Sequence, residues 1–407
     1  MNIPRPDGDK GWTAANFVYF SYALFLAGFY FVPNAVDLYK YYIFAVFLPG
    51  LLLLPEAIRV NGGSRILLLI TAYLLYMLVS SGWSEDFSGA MLWRDVRYVA
   101  YILMFLSLTA LFLRRGPCLL PAILQTLTFV AAIAALVSLA GFDGIAQLPA
   151  LPDTRLHGVG ITENPNTSAF VYGPFAVAAL YYIRVNRGRP LLPAYAACFF
   201  AITAFVVLTQ SNTGLLALTC ACATLLLAGG RASPRGLALG MVLGLFAVVF
   251  LSWSLGLLNA QADIGFTRRL PIWEYVLGQW HNAPLFGNGL QKAIVLDADG
   301  GESAVNYAHS IFLSTLRDGG LVGLALLLPV YLLALRQGIY TAASNGNALY
   351  LSLFCFGLVC VLVDVDQAIT RPRELWIMLW LPLACLIAAE GESRGQRPDS
   401  SPKNTRT

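Results

Sequence analysis

Three polar stretches in an otherwise apolar chain carry side chains suited to chemistry. His309 stands in Asn306-Tyr307-Ala308-His309-Ser310-Ile311-Phe312-Leu313, and Leu313 and Leu316 continue it at helical spacing. That spacing predicts a helix beginning at the histidine, whose positive end would favour neutral imidazole. Neutral imidazole can take a proton from an alcohol or orient it; the plainer reading is an interfacial histidine bonded to a neighbour. Arg268 and Arg269 precede Leu270, Trp273, Leu277 and Trp280, with Pro271 in the first turn of a short interfacial helix. Two arginines at a helix N-terminus suit that position only if an anion sits there, held by guanidinium forks and backbone amides. Lipid phosphate or loop carboxylates would serve equally. The third stretch runs from Arg155 to Asn166 through Gly158, Gly160 and Pro165, residues that permit a tight re-entrant path. Arg155 and Asn166 would face the same hollow as His309, or Asn166 would cap the next helix.

Two Asp-x-Asp pairs, Asp297/Asp299 and Asp364/Asp366, have the spacing to hold a divalent cation beside a diphosphate. Both fall in loops where acids are ordinarily solvated, so no metal is expected. The chain has no phosphate-binding glycine loop and no nucleophile elbow, and no cofactor is expected.

The elements that position these groups follow from composition. Of 407 residues, 58% are hydrophobic and 12% charged, against about 45–50% and 25% for a soluble domain. A net charge of +4 on so little polar surface excludes an ordinary soluble enzyme, a disordered chain and a nucleic-acid binder. The seven cysteines all lie in or beside apolar runs and read as small hydrophobes. The polar N-terminus followed by a long apolar run does not resemble a cleavable signal. The expectation is an all-α polytopic membrane protein.

Runs long enough to cross a bilayer lie near 15–32, 41–57, 65–82, 96–113, 118–140, 167–185, 192–210, 213–229, 234–257, 320–336, 347–363 and 374–390. Twelve spans put both termini on one side. The termini and the connections on that side carry 16 of the 26 Lys and Arg but six of the 22 acids, the positive-inside pattern. Residues 1–14 are therefore expected to be a cytoplasmic N-terminus, 15–390 the membrane domain, and 391–407 a disordered cytoplasmic tail. Two long outer loops, 141–166 and 258–319, hold all three histidines and are where a site would be built. A twelve-span secondary transporter would instead carry its functional polar residues inside the spans. Here the spans are clean and no internal repeat is visible.

Three segments together resemble the O-antigen ligase family of bacterial envelope glycosyltransferases, which also contains O-antigen polymerases and protein-glycosylating members. Arg269-Leu270-Pro271-Ile272-Trp273 followed by Pro284-Leu285-Phe286-Gly287-Asn288-Gly289 is similar to the family's Gly-Arg-x-x-x-Trp and Pro-Leu-x-Gly-x-Gly pattern. His309, Leu313, Leu316, Asp318, Gly320 and Gly323 are similar to His-Asn-x-x-Leu-x-x-Leu-x-Glu-x-Gly-x-x-Gly, and Gly160 to Asn166 looks like the stretch opening a middle span. Departures are Ser310, the residues before Arg269, and Asn212, which stands in Thr209-Gln210-Ser211-Asn212 where an arginine is usual. Arg155, Arg268 or Arg317 would have to supply that charge.

The resemblance implies a C-type glycosyltransferase-like fold in the bacterial inner membrane, with its site on the periplasmic side. It implies an undecaprenyl-diphosphate-linked glycan as donor and a sugar hydroxyl of lipid A–core as acceptor. It also implies that Arg155, Arg268 and Arg269 hold the diphosphate, that His309 is the base of an inverting transfer, and that Asn166 and Arg317 line the site. An O-antigen polymerase with the same donor is the nearest alternative, and the lack of a large C-terminal periplasmic domain argues against a protein-glycosylating member.

Overall fold

The computed structural model describes residues 14–116, 119–147, 154–162, 164–228, 257–298, 301–304, 308–365 and 367–395. Seven of its helices are long and apolar enough to cross a membrane: α1 (Ala14–Phe31), α2 (Ala35–Asn61), α3 (Arg65–Trp83), α4 (Gly89–Arg115), α5 (Leu119–Ala140), α6 (Pro165–Val185) and α10 (Ile311–Asn345). Four shorter apolar helices coincide with further expected spans: α7 (Leu192–Leu208), α8 (Asn212–Ala228), α11 (Leu349–Val363) and α12 (Trp376–Gly391). The expected span at 234–257 lies outside the described residues, as do 1–13 and 396–407. The protein is thus a helical membrane protein, with seven candidate spans by length and composition among the described residues.

α6, α11 and α12 form the centre, and α8, α10 and α4 close round them. Aromatic rings fill the interior: Phe25, Tyr42, Phe105 and Trp376 are fully buried and meet mostly edge to face. The Tyr42 hydroxyl is satisfied by the Tyr101 carbonyl at 2.8 Å, as a buried phenol in an apolar medium requires. Outward faces stay apolar at Phe44, Leu52, Leu68 and Phe200, which is the surface a lipid solvent selects.

Two departures from the expected architecture concern the longer loop. Residues Val295–Ala298 (β1) and Gly301–Ala304 (β2) form a small antiparallel hairpin with Asp297 opposite Glu302, so the fold is not purely α. The helix carrying the arginine pair, α9, spans Leu257–Asn282. It starts well before the predicted first turn, and Pro271 lies inside it. Arg268 and Arg269 are therefore mid-helix and have no N-terminal backbone amides to share with an anion. The helix is barely amphipathic, so apolar periodicity could not mark its beginning.

The helix that follows His309 is broken at the Gly319-Gly320 pair. Gly320 adopts φ 62°, ψ −161° inside α10, a conformation that glycine alone takes without strain. The Pro284–Gly289 turn locks into this break. Asn288 and Gly289 N–H donate to Arg317 and Asp318 carbonyls at 2.8 and 2.9 Å, and Leu321 N–H donates to Pro284 O at 2.9 Å. Tyr76 and Trp83 from α3 donate to Gly319 O and Gly287 O at 2.7 and 3.2 Å. The Pro-Leu-x-Gly-x-Gly motif is thus a structural clasp on the start of α10.

Candidate functional site

A carboxylate organises the site. Asp364 follows the last turn of α11, and its side chain is 8% exposed. Arg269 of α9 approaches Asp364 Oδ2 with Nη2 at 3.1 Å, and its Nη1 donates to the Val363 carbonyl at 2.6 Å. The guanidinium fork thus spans the C-terminal end of α11, where unsatisfied carbonyls favour a cation. His309 Nδ1 faces the other oxygen, Asp364 Oδ1, at 3.5 Å. Asn166 Nδ2 donates to Asp364 Oδ2 at 3.4 Å, and Asn166 Oδ1 accepts from Arg155 Nη2 at 2.6 Å. Five polar residues from four stretches of chain are therefore linked through one buried acid.

Local sequence explains how each arrives. At the start of α6, Asn164 is the N-cap and accepts from Asn166 N–H at 2.8 Å, while Pro165 takes the first helical position with its φ already suited to it. This corrects the expectation that Asn166 caps the helix. Because Asn164 does so, the Asn166 side chain turns to Arg155 and Asp364. The preceding loop is pinned by Leu156 N–H to Leu208 O at 3.0 Å and by Gly158 N–H to Ser168 Oγ at 2.8 Å. Gly160, at φ 87°, passes so close to α1 that a Cβ would stand 2.6 Å from Phe29 O. Arg155 also donates from Nε to the Thr209 carbonyl at 2.9 Å. Burial lowers its pKa, and the negative charge of Asp364 partly restores it; a guanidinium stays charged regardless.

His309 is not on the helix. It precedes the N-cap Ser310 with φ 52°, one of two described non-glycine residues in the left-handed region. Ala308 before it is fully buried, and its carbonyl accepts from Trp273 Nε1 at 3.1 Å, which ties α9 to the histidine turn. Ile272, Val276, Ile294 and Ala308 make the small apolar core beneath this tie. A bulky residue in left-handed backbone is held there only by its surroundings, a condition that clusters at functional sites.

His309, Asp364 and Asn166 open onto a cavity of about 160 Å³ that Gln367, Arg373 and Glu374 also line. Arg373 and Glu374 pair at 2.7 Å, with the acid buried. None of Asp364, Arg373 or Glu374 stood out in the sequence as part of this site. In the sequence Asp364 reads only as half of an Asp-x-Asp pair, whose Asp366 lies outside the described residues. The available signal was the dense polar run 364–374 between two apolar spans, on the same side by parity as His309.

Other expected site residues fall elsewhere. Arg317, 5% exposed, bonds Asp318 from Nε and the Lys292 carbonyl from Nη2 at 3.1 Å, and lines a neighbouring cavity without touching Asp364. The Arg268 side chain lies outside what the structure describes. Asn212 is exposed, and the guanidinium that reaches the turn before it is Arg155, through Thr209. Among the described residues, no group of three or more His, Cys, Asp or Glu gathers to hold a metal.

All these groups lie where α3, α7 and α11 end and where α4, α6 and α10 begin. The opposite end carries Arg114, bonded to the Ala388 and Ile387 carbonyls, together with Arg115 paired to Glu56 and Arg184 against Leu225. The site and the basic connections thus occupy opposite ends of the helices.

Comparison with known proteins gives the family. The family model described as O-Antigen ligase matches residues 196–328, which run from α7 through the arginine helix and His309 into α10. An O-antigen ligase of Pseudomonas aeruginosa is 30% identical over 330 residues, covering 80% of this chain and 78% of that protein. The likeness extends over most of both chains, and this chain belongs to the O-antigen ligase family.

Proposed function

We propose that this protein transfers a glycan from undecaprenyl diphosphate to a sugar hydroxyl of lipid A–core in lipopolysaccharide synthesis. The observation that carries the reading is the convergence of Arg269, His309 and the Arg155–Asn166 pair on Asp364, at the end opposite the basic connections. By the positive-inside rule that end is periplasmic and both termini are cytoplasmic. Donor and acceptor are both lipid-borne, so a site at the membrane–water boundary admits them together.

Asp364 holds a proton on His309 Nδ1, which leaves Nε2 to accept the proton of the acceptor hydroxyl. The hydroxyl oxygen attacks the anomeric carbon as the bond to the diphosphate breaks, inverting that centre. Charge builds on the departing diphosphate, and Arg269 and Arg155 stabilise it, with Arg268 beside them on α9. Asn166 holds Arg155 in place. With Arg155, Arg268 and Arg269 supplying the positive charge, the proposed transfer does without a metal, and transfer by purified protein is expected to continue in excess chelator. Full loss in chelator with recovery on adding magnesium would reverse that expectation.

The deciding experiment incubates purified protein with lipid-linked glycan and either lipid A–core or more lipid-linked glycan. Extension of lipid A–core supports a ligase. Growth of the lipid-linked glycan alone would make the protein a polymerase, and no transfer in either mixture would end the reading.

A further inference from the structure

A second polar cavity of about 230 Å³ adjoins the first, and Gln367 lines both. Its walls come from the first turns of α4, the 290–294 segment and the first turns of α10. Two donors on these walls are unspent. Arg317 is 95% buried and its Nη1 has no hydrogen-bond partner among the described residues. Gln291 accepts from Ser88 N–H at 2.7 Å through Oε1, while its buried Nε2 has no partner among the described residues. Buried donors without acceptors are costly and call for an explanation in each case.

The remaining wall chemistry narrows the ligand. Carboxylates of Asp95 and Asp318 lie beside the cations Arg94 and Arg317, and Met77, Met91 and Leu290 supply apolar surface. Two acids at the wall disfavour a bare phosphate. A sugar ring suits the combination, because its hydroxyls both accept and donate and its C–H face packs on apolar atoms.

We propose that this cavity is a saccharide subsite, holding a sugar unit next to the one at the reacting bond, with Arg317 Nη1 and Gln291 Nε2 donating to its oxygens. The assignment of the reacting bond rests on the function proposed above. The saccharide comes either from the donor glycan or from the lipid A–core.

Saturation-transfer NMR on the detergent-purified full chain tests this, using lipid-free core oligosaccharide and lipid-free O-glycan repeat as separate probes. One of the two is expected to bind wild type and His309→Ala alike, and to lose at least tenfold in affinity in Gln291→Glu and Arg317→Met. Gln291→Glu keeps the oxygen that accepts from Ser88 and replaces only the unspent donor. Because Arg317 supports Asp318, Met91→Trp, which fills the cavity from an exposed position, is the check that does not depend on it. In transfer assays, Gln291→Glu and Met91→Trp are expected to raise KM for the substrate bearing the bound saccharide, with little change in kcat. Unchanged KM for both substrates in an active enzyme would overturn the subsite, as would displacement of the saccharide by millimolar inorganic phosphate. Saccharide binding in a protein that never extends lipid A–core would instead leave the subsite standing and remove the ligase reading.

Discussion

At the residue scale a shared carboxylate links the polar groups. Asp364 offers one oxygen to His309 and the other to Arg269 and Asn166, so in the proposed transfer one group orients the imidazole and positions the arginine that meets the diphosphate. His309→Ala and His309→Asn are both expected to lose about 100- to 10,000-fold in transfer, the range of a general base. Their stabilities should differ from that of a bulkier change, because φ 52° suits Asn but strains β-branched side chains by about 1–3 kcal/mol. Melting in detergent checks this: His309→Asn should match wild type and His309→Val should melt lower, and equal melting of the two would remove strain from the account. Arg269→Lys should retain more transfer than Arg269→Ala, since Lys keeps a charge but cannot span Val363 O and Asp364 together. Arg269 and Asp364 side chains are 14% and 8% exposed, so each single removal strands a nearly buried charge. Arg269→Met combined with Asp364→Asn should then destabilise by about 0.5–3 kcal/mol less than the sum of the singles. Strict additivity would mean that the pair is not coupled.

At the element scale, glycine positions decide whether the site-bearing turns can approach one another. Gly287 at φ 73° lies against the Asp318–Gly319 backbone, and Gly320 at φ 62° lies against Leu285 O, with no room for a Cβ in either case. Gly287→Ala is expected to destabilise the protein by at least 1 kcal/mol, because it meets rigid backbone and unfavourable φ together. Gly278→Ala in α9 is the control: open space surrounds it, and alanine should stabilise the helix by up to about 1 kcal/mol. Thermal melting of both variants separates a clasp at Gly287 from a general intolerance of substitution. The clasp was visible in the sequence as a glycine-rich turn and a glycine pair, although nothing there showed that they engage each other. Long apolar runs such as 65–82 and 118–140 read as helices at once, because lipid demands that pattern. The start of α9 and the β1–β2 hairpin were not legible, since neither has an apolar periodicity to read. Asp364 was missed for a different reason: beside Asp366 it looked like half of a cation pair, and only the fold reveals the arginine and histidine that reach it.

At the scale of the whole molecule, charge is sorted between the two ends of the helices. One end is bound by Arg114 and by Glu390, which accepts from Ser64 Oγ at 2.7 Å and from the first backbone amides of α3. Arg187 and Asn345 are exposed at that same end. The other end carries the Asp364 assembly, both cavities and the exposed His281. The positive-inside rule puts the arginine-rich connections inside, and on that orientation the proposed substrates would meet at the outer surface. Single cysteines at these positions test the orientation. Of the native cysteines, Cys198, Cys220, Cys355, Cys360 and Cys385 are buried; Cys222 is half-buried, so Cys222 and Cys118 are first replaced by serine to keep background labelling low. In cells with a permeabilised outer membrane, an impermeant maleimide is expected to label His281→Cys while sparing Arg187→Cys and Asn345→Cys until the inner membrane is opened. The reverse pattern would put His309 in the cytosol, where a flipped lipid-linked glycan could not reach it, and the proposed transfer would fail even with every side chain in place.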